Sequence, residues 1–211
     1  MAINSRANRN PICVVVCERD ETALEASLQQ LGTIPGFIEI RLDYLPVHQI
    51  TLARLVKWIK LARNPVILTF RRKVNGGEYE GTEAEQIGIL KSIINCGAAY
   101  FDLEVETVES FLKGSLESLK TGQSRWIVSY HDFQKTPADL NSVFSRLWAS
   151  NPDVVKVATK ACRFADNFRL LDLLDYPRPP HTGLILVAMG ELGEYSRIMG
   201  PSRGSFLTYA S

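Results

Sequence analysis

Two patterns of apolar residues alternate along the chain. Short, β-branched apolar runs of the kind a buried strand makes are separated by segments whose apolar positions recur at helical spacing. The runs are Ile12–Cys17, Phe37–Leu42, Pro65–Arg71, Tyr100–Val105, Trp126–Tyr130, Val154–Ala158, Leu184–Met189 and Ser205–Tyr209. The helical segments run over Glu21–Leu31, Thr51–Ala62, Thr82 to about Asn95, Val108–Leu119, Pro137–Trp148, Phe164–Leu174 and Glu194–Met199. Gly32 closes the first helix, Thr82 with Glu85 forms a capping box, and Pro137 sits at an N1-like position. Within Phe37–Leu42 the residues alternate, with Glu39, Arg41 and the following Asp43 on one face and Ile38, Ile40 and Leu42 on the other.

Eight strands and seven helices in strict alternation, about 25 residues per unit, imply a parallel sheet closed as a (β/α)8 TIM barrel. A doubly wound sheet is the weaker solution, because no Gly-x-Gly-x-x-Gly follows the first strand.

Composition narrows the class. The chain has 211 residues, 45% hydrophobic and 22% charged, with a net charge of +1. That suits one globular domain and supplies no field for nucleic acid or an anionic membrane. No run approaches the ~18 apolar residues of a bilayer span. Residues 1–10 lack the apolar core of a secretory signal, so they read as a disordered leader before a single domain over 11–211. Cys13 and Cys17 stand on one strand, roughly 13 Å apart, too far for a disulfide or a shared metal. Cys96 and Cys162 fall in segments read as helical, and buried reduced thiols in a cytoplasmic protein fit the set.

The chemistry collects at the strands' C-terminal ends, where a barrel carries its site. Lys156 lies inside an apolar strand between Val155 and Val157, and His131 stands where the preceding strand finishes. Lysine is almost never buried without a partner, and a desolvated amine attacks carbonyls. A nearby histidine can move the protons of iminium chemistry. Glu39, Arg41, Arg71, Asp102, Glu104, Met189, Arg197, Ser205 and Thr208 occupy equivalent rim positions. Surface ion pairs and satisfied interior polar groups account for some of these residues singly, but not for their recurrence in strand after strand.

The set Glu39-Ile-Arg41-Leu-Asp43, Thr69-Phe-Arg71, Ser129-Tyr-His131-Asp-Phe133, Lys156 and Met189-Gly, with Ser196-Arg197 and Gly204-Ser205, resembles type I 3-dehydroquinate dehydratase of the shikimate pathway, from about Ile12 to Ser211. The resemblance implies an enzyme without metal or cofactor. In it Lys156 forms an iminium with the ring ketone of 3-dehydroquinate and His131 shuttles the proton. It further implies that Arg197 clamps the substrate carboxylate, that Glu39, Arg41 and Arg71 hold ring hydroxyls and charge balance, and that Met189 and Tyr209 supply apolar walls. It carries a homodimer and a fusion to shikimate dehydrogenase as expected partners.

Two positions depart from the family's pattern. The glutamate that precedes its paired glycines, and orients its histidine, is Asn75 here, which leaves Glu78 or Glu104 to take that place. The chain ends at Ser211, where the family continues into a loop and helix, so a barrel lacking its last helix is expected. Another lysine Schiff-base lyase of the aldolase kind, or an inactive barrel domain of a fused protein, are the competing readings.

Overall fold

A computed structural model describes residues 11–112, 123–179 and 181–210; the expected leader over 1–10 lies outside them. Eight strands occur in it: β1 (Ile12–Val16), β2 (Phe37–Arg41), β3 (Val66–Thr69), β4 (Tyr100–Glu104), β5 (Arg125–Asp132), β6 (Val154–Lys160), β7 (Gly183–Met189) and β8 (Thr208–Ala210). They alternate with α1 (Glu21–Leu31), α2 (Leu52–Ala62), α3 (Glu83–Ile93), α4 (Val105–Leu112), α5 (Leu140–Trp148), α6 (Asp166–Leu171) and α7 (Glu194–Ser202). The sheet runs β7-β6-β5-β4-β3-β2-β1-β8, every pair parallel. Side-chain and backbone bonds bring β7 towards the segment before β8: Ser205 Oγ and the Phe206 N–H both donate to the Leu184 carbonyl, at 3.1 and 2.6 Å. The architecture is the (β/α)8 barrel read from the alternation. Among the described residues no helix is long and apolar enough to cross a membrane.

The strands read as continuous apolar runs because both faces are buried. One face meets the helices, in a core that includes Leu24, Leu28, Leu55, Trp58, Phe101, Phe144 and Leu186. The other fills the barrel. Its lower layer is apolar, with Phe37, Ile67, Tyr100, Ile127, Val154, Ile185 and Leu207. Two residues further along the same faces come Glu39, Thr69, Asp102, Ser129 and Lys156, all buried. The alternation seen in β2 is therefore inside against outside, and its polar face is the barrel interior.

Local signals place the helices. Asp20, Thr51 and Asp139 accept N-terminal amide hydrogens of α1, α2 and α5, and the Thr82–Glu85 capping box forms. Several boundaries differ from the sequence reading. The helix expected to open at Pro137 begins at Leu140. Thr136, the residue that would cap it, is occupied by Thr159 Oγ1 at 2.9 Å and the Lys160 carbonyl at 3.1 Å. The helix expected over Val108–Leu119 starts at Val105, directly from β4, and its later part lies outside the described residues. Phe164–Leu174 shortens to α6 followed by a 3-10 turn over Asp172–Asp175. Strands β5 and β6 reach Asp132 and Lys160, so His131 is inside its strand rather than at its end. The last strand shortens to Thr208–Ala210, since Ser205 and Phe206 bond to β7 instead. Cys96 and Cys162 stand in loops, not helices, and Cys17 and Cys162 are exposed.

Candidate active site

Register across β4, β5 and β6 sets Glu104 beside Ser129 and Ser129 beside Lys156. The Lys156 ammonium lies 2.6 Å from Asp102 Oδ2 and 4.0 Å from Glu39 Oε2, with the Tyr209 ring centroid 4.3 Å away. The bare desolvated amine inferred from sequence is corrected: Lys156 is buried as half of an ion pair. Burial by itself would raise the Asp102 carboxyl; the charges of Lys156 and then Arg71 outweigh it and hold the group well below the usual carboxylate range.

Arg71 enters from the end of β3. Its guanidinium stands 2.6 Å from Glu104 Oε1 and 3.4 Å from Asp102 Oδ2, so one cation spans two carboxylates. Glu104 in turn holds His131, whose Nδ1 is 3.0 Å from Oε1 and 3.1 Å from Oε2. Burial and then Arg71 lower the His131 pKa, and Glu104 opposes them in part. The neutral imidazole donates from Nδ1 to Glu104 and leaves Nε2 as the basic nitrogen.

The loop after β3 approaches His131 through Phe133, the residue that follows β5. Phe133 stacks on the imidazole at 5.8 Å between centroids and 13° between planes. Gly76, at φ 81°, lies under Phe133 so closely that a Cβ there would stand 2.2 Å from the ring. Asn75, at the place expected to partner His131, instead sits in a 3-10 turn with Oδ1 buried and without a hydrogen-bond partner. Glu78, the other residue considered for that place, pairs with Arg19 at 3.7 Å. The carboxylate at His131 is Glu104.

We expect Gly76→Ala to push Phe133 aside and admit water to the imidazole. The His131 midpoint, followed by NMR, then moves up toward the ordinary histidine value, and the fold loses about 1–2 kcal/mol to the left-handed backbone. An unmoved midpoint would remove the Phe133 shield from the account.

The other rim residues are held differently. Arg41 makes a two-pronged pair with buried Asp43 at 3.0 and 2.7 Å, and Asp43 also accepts the Glu78 N–H at 3.0 Å, tying β2 to the loop after β3. Met189, at the end of β7, packs against the barrel's apolar interior. Arg197 is half-buried on α7, with Nε buried and without a hydrogen-bond partner. Thr69 Oγ1, Thr208 Oγ1 and the Tyr209 hydroxyl are in the same condition. Buried polar atoms of this kind are rare unless a bound group completes them.

Lys156, His131, Glu39 and Arg71 thus join one network through Asp102 and Glu104, and Tyr209 borders it. Arg41 is engaged by Asp43, and among the described residues Arg197 makes no hydrogen bond to the network. Ser129 carries no signal in the sequence beyond its place in the run before His131. Among the described residues no group of three or more His, Cys, Asp or Glu side chains could hold a metal ion.

Comparison with known proteins adds the following. A family model described as type I 3-dehydroquinase matches residues 12–211. A bifunctional 3-dehydroquinate dehydratase/shikimate dehydrogenase of Arabidopsis thaliana is 35% identical over 210 residues, which cover 96% of this chain and 34% of that protein. A 3-dehydroquinate dehydratase of Desulfotalea psychrophila is 32% identical, with 89% of this chain and 80% of that protein covered. A solved type I 3-dehydroquinate dehydratase from Clostridium difficile superposes with a TM-score of 0.83 at 23% identity, over 96% of this chain and 84% of that one, which speaks to the fold.

Proposed function

The chain belongs to the type I 3-dehydroquinase family, and from that premise we propose that it dehydrates 3-dehydroquinate to 3-dehydroshikimate through a Schiff base on Lys156. One observation carries the reading. A buried lysine and a buried histidine share a single barrel interior, each held by its own carboxylate, Asp102 and Glu104.

The ammonium of Lys156 first gives up a proton. The amine attacks the ring ketone, the carbinolamine expels water, and an iminium forms. Its positive nitrogen draws electrons and acidifies the neighbouring C–H, whose proton Nε2 of His131 accepts. The enamine electrons then expel the β-hydroxyl, which leaves as water with the proton from His131. Hydrolysis of the iminium consumes the first water and frees Lys156, so the balance is the loss of one water from the substrate. Glu104 fixes the imidazole and stabilises the imidazolium between the two transfers.

Arg197 takes the substrate carboxylate, and its unpartnered buried Nε supports that assignment. Glu39, Arg41 and Arg71 face the ring hydroxyls, and Met189 and Tyr209 form the walls. Glu104 at Nδ1 supports an active site despite Asn75, against the inactive-barrel alternative. A cytoplasmic homodimer completes the reading, and the Arabidopsis relative supports a partnership with shikimate dehydrogenase.

The test is to add 3-dehydroquinate and sodium borohydride and weigh the intact protein. One reduced adduct, mapped to Lys156, together with the absorbance of the conjugated enone, is the expected result. Enone formation with no adduct, or an adduct mapped elsewhere, would sink the mechanism.

A further inference from the structure

The fully buried hydroxyl of Ser129 has one proton and three acceptors. Asp102 Oδ1 is 2.6 Å away, Glu104 Oε1 3.2 Å and the Leu103 carbonyl 3.3 Å. The other oxygen of Asp102 holds Lys156, and Glu104 holds His131. Ser129 therefore stands between the carboxylate of the amine and the carboxylate of the imidazole. Strand geometry puts it there. Asp102 and Glu104 share the inner face of β4, two residues apart, and Ser129 is the β5 residue paired with Glu104. Arg71 bridges the same two carboxylates, at 2.6 and 3.4 Å, and remains charged throughout. The serine is a second bridge, one that can change allegiance by rotating a single bond.

We propose that Ser129 is a positioning residue that couples the charge of Lys156 to that of His131. In the resting site it donates to Asp102, which faces the ammonium. When the Lys156 N–H bond breaks and the proton passes to Asp102 Oδ2, Asp102 becomes neutral and needs the hydroxyl less. The Ser129 proton then swings to Glu104 Oε1 and takes up part of that carboxylate's pull on the imidazole, so His131 stays neutral and able to accept a proton. The amine is freed and the base is readied in one exchange, with no proton lost from the site.

The roles of Lys156 and His131 rest on the dehydratase reading, but the coupling can be measured without substrate. The chain has three histidines, so the His131 resonance is assignable by its loss in His131→Gln. Its titration midpoint is followed in the full chain as wild type, Ser129→Ala, Lys156→Met and the double variant. The expected result is that Lys156→Met moves the midpoint in the wild-type background and moves it by less than half as much beside Ser129→Ala. Equal shifts in both backgrounds would overturn the proposal, leaving the hydroxyl as filler. If Lys156→Met does not fold, the pH profile of kcat/KM decides instead. Ser129→Ala moves its acid limb up by roughly 0.5 pH unit or more, since Glu104 without the hydroxyl holds a proton on His131 more strongly. Ser129→Thr, which keeps the hydroxyl, restores the limb. An acid limb left in place by Ser129→Ala also overturns the proposal. The borohydride adduct reports on the dehydratase reading separately, so failure of one is not failure of the other.

Discussion

Lys156→Met is expected to cut turnover of 3-dehydroquinate by at least about 10³-fold, on the order of 4 kcal/mol in the barrier, and to abolish the borohydride adduct. The reason is chemical before it is structural. Without the iminium, His131 must take a proton from a carbon next to an ordinary ketone. The same substitution tests the ion pair. In wild type, Asp102 lies below its unfolded carboxyl value, so the stability it contributes is present above that value and is lost as pH falls through the folded one. Removing the nearest cation leaves Asp102, 2.6 Å from where the ammonium was, and Glu39 buried without it, at a cost of about 3–5 kcal/mol near neutral pH. Protonating Asp102 relieves that cost. The stability gap between variant and wild type, read by urea titration across the acid and neutral range, should therefore narrow as the solution is acidified. A variant as stable as wild type near neutrality would refute the pairing.

The second large effect belongs to Arg71. Its side chain is 6% exposed and it is the cation common to Asp102 and Glu104. Arg71→Met brings two buried carboxylates on one strand face together with no charge between them. The expected loss is again about 3–5 kcal/mol. The signature distinct from Lys156→Met lies in His131. Arg71 is the leading charge that lowers its pKa, so removing it raises the midpoint and carries the acid limb of the activity profile upward. Arg71→Lys keeps the charge but loses the planar fork. It should hold the midpoint near wild type while recovering only part of the stability. A midpoint unmoved in Arg71→Met would show that Glu104 alone governs the imidazole.

Much of this site was legible along the chain. A strand's period of two tells which residues share a face, so Glu39, Asp102, Ser129, His131 and Lys156 could be set on one inner surface. Their partners could not be named. Whether Glu104, Glu78 or Asn75 meets His131 depends on the stagger between β4 and β5 and on how the loop after β3 folds. Asn75 turned aside into a 3-10 turn, and Gly76 made room for Phe133. The boundary expected at Pro137 failed for a similar reason, since Thr136 was drawn away by residues of β6.

By itself, the sequence determined the barrel. Eight apolar runs alternating with amphipathic helices leave few other ways to bury both faces of a parallel sheet, and a lysine inside such a run has to face the interior. Tertiary structure alone decided the electrostatics. Lys156 is 54 residues from Asp102 and His131 is 27 from Glu104. Only the lateral register of three strands brings each charge within hydrogen-bond reach of its counter-charge. Register is a property of pairs of strands, fixed by packing across the whole barrel, and it is what made a buried lysine and histidine into two held groups with Ser129 between them.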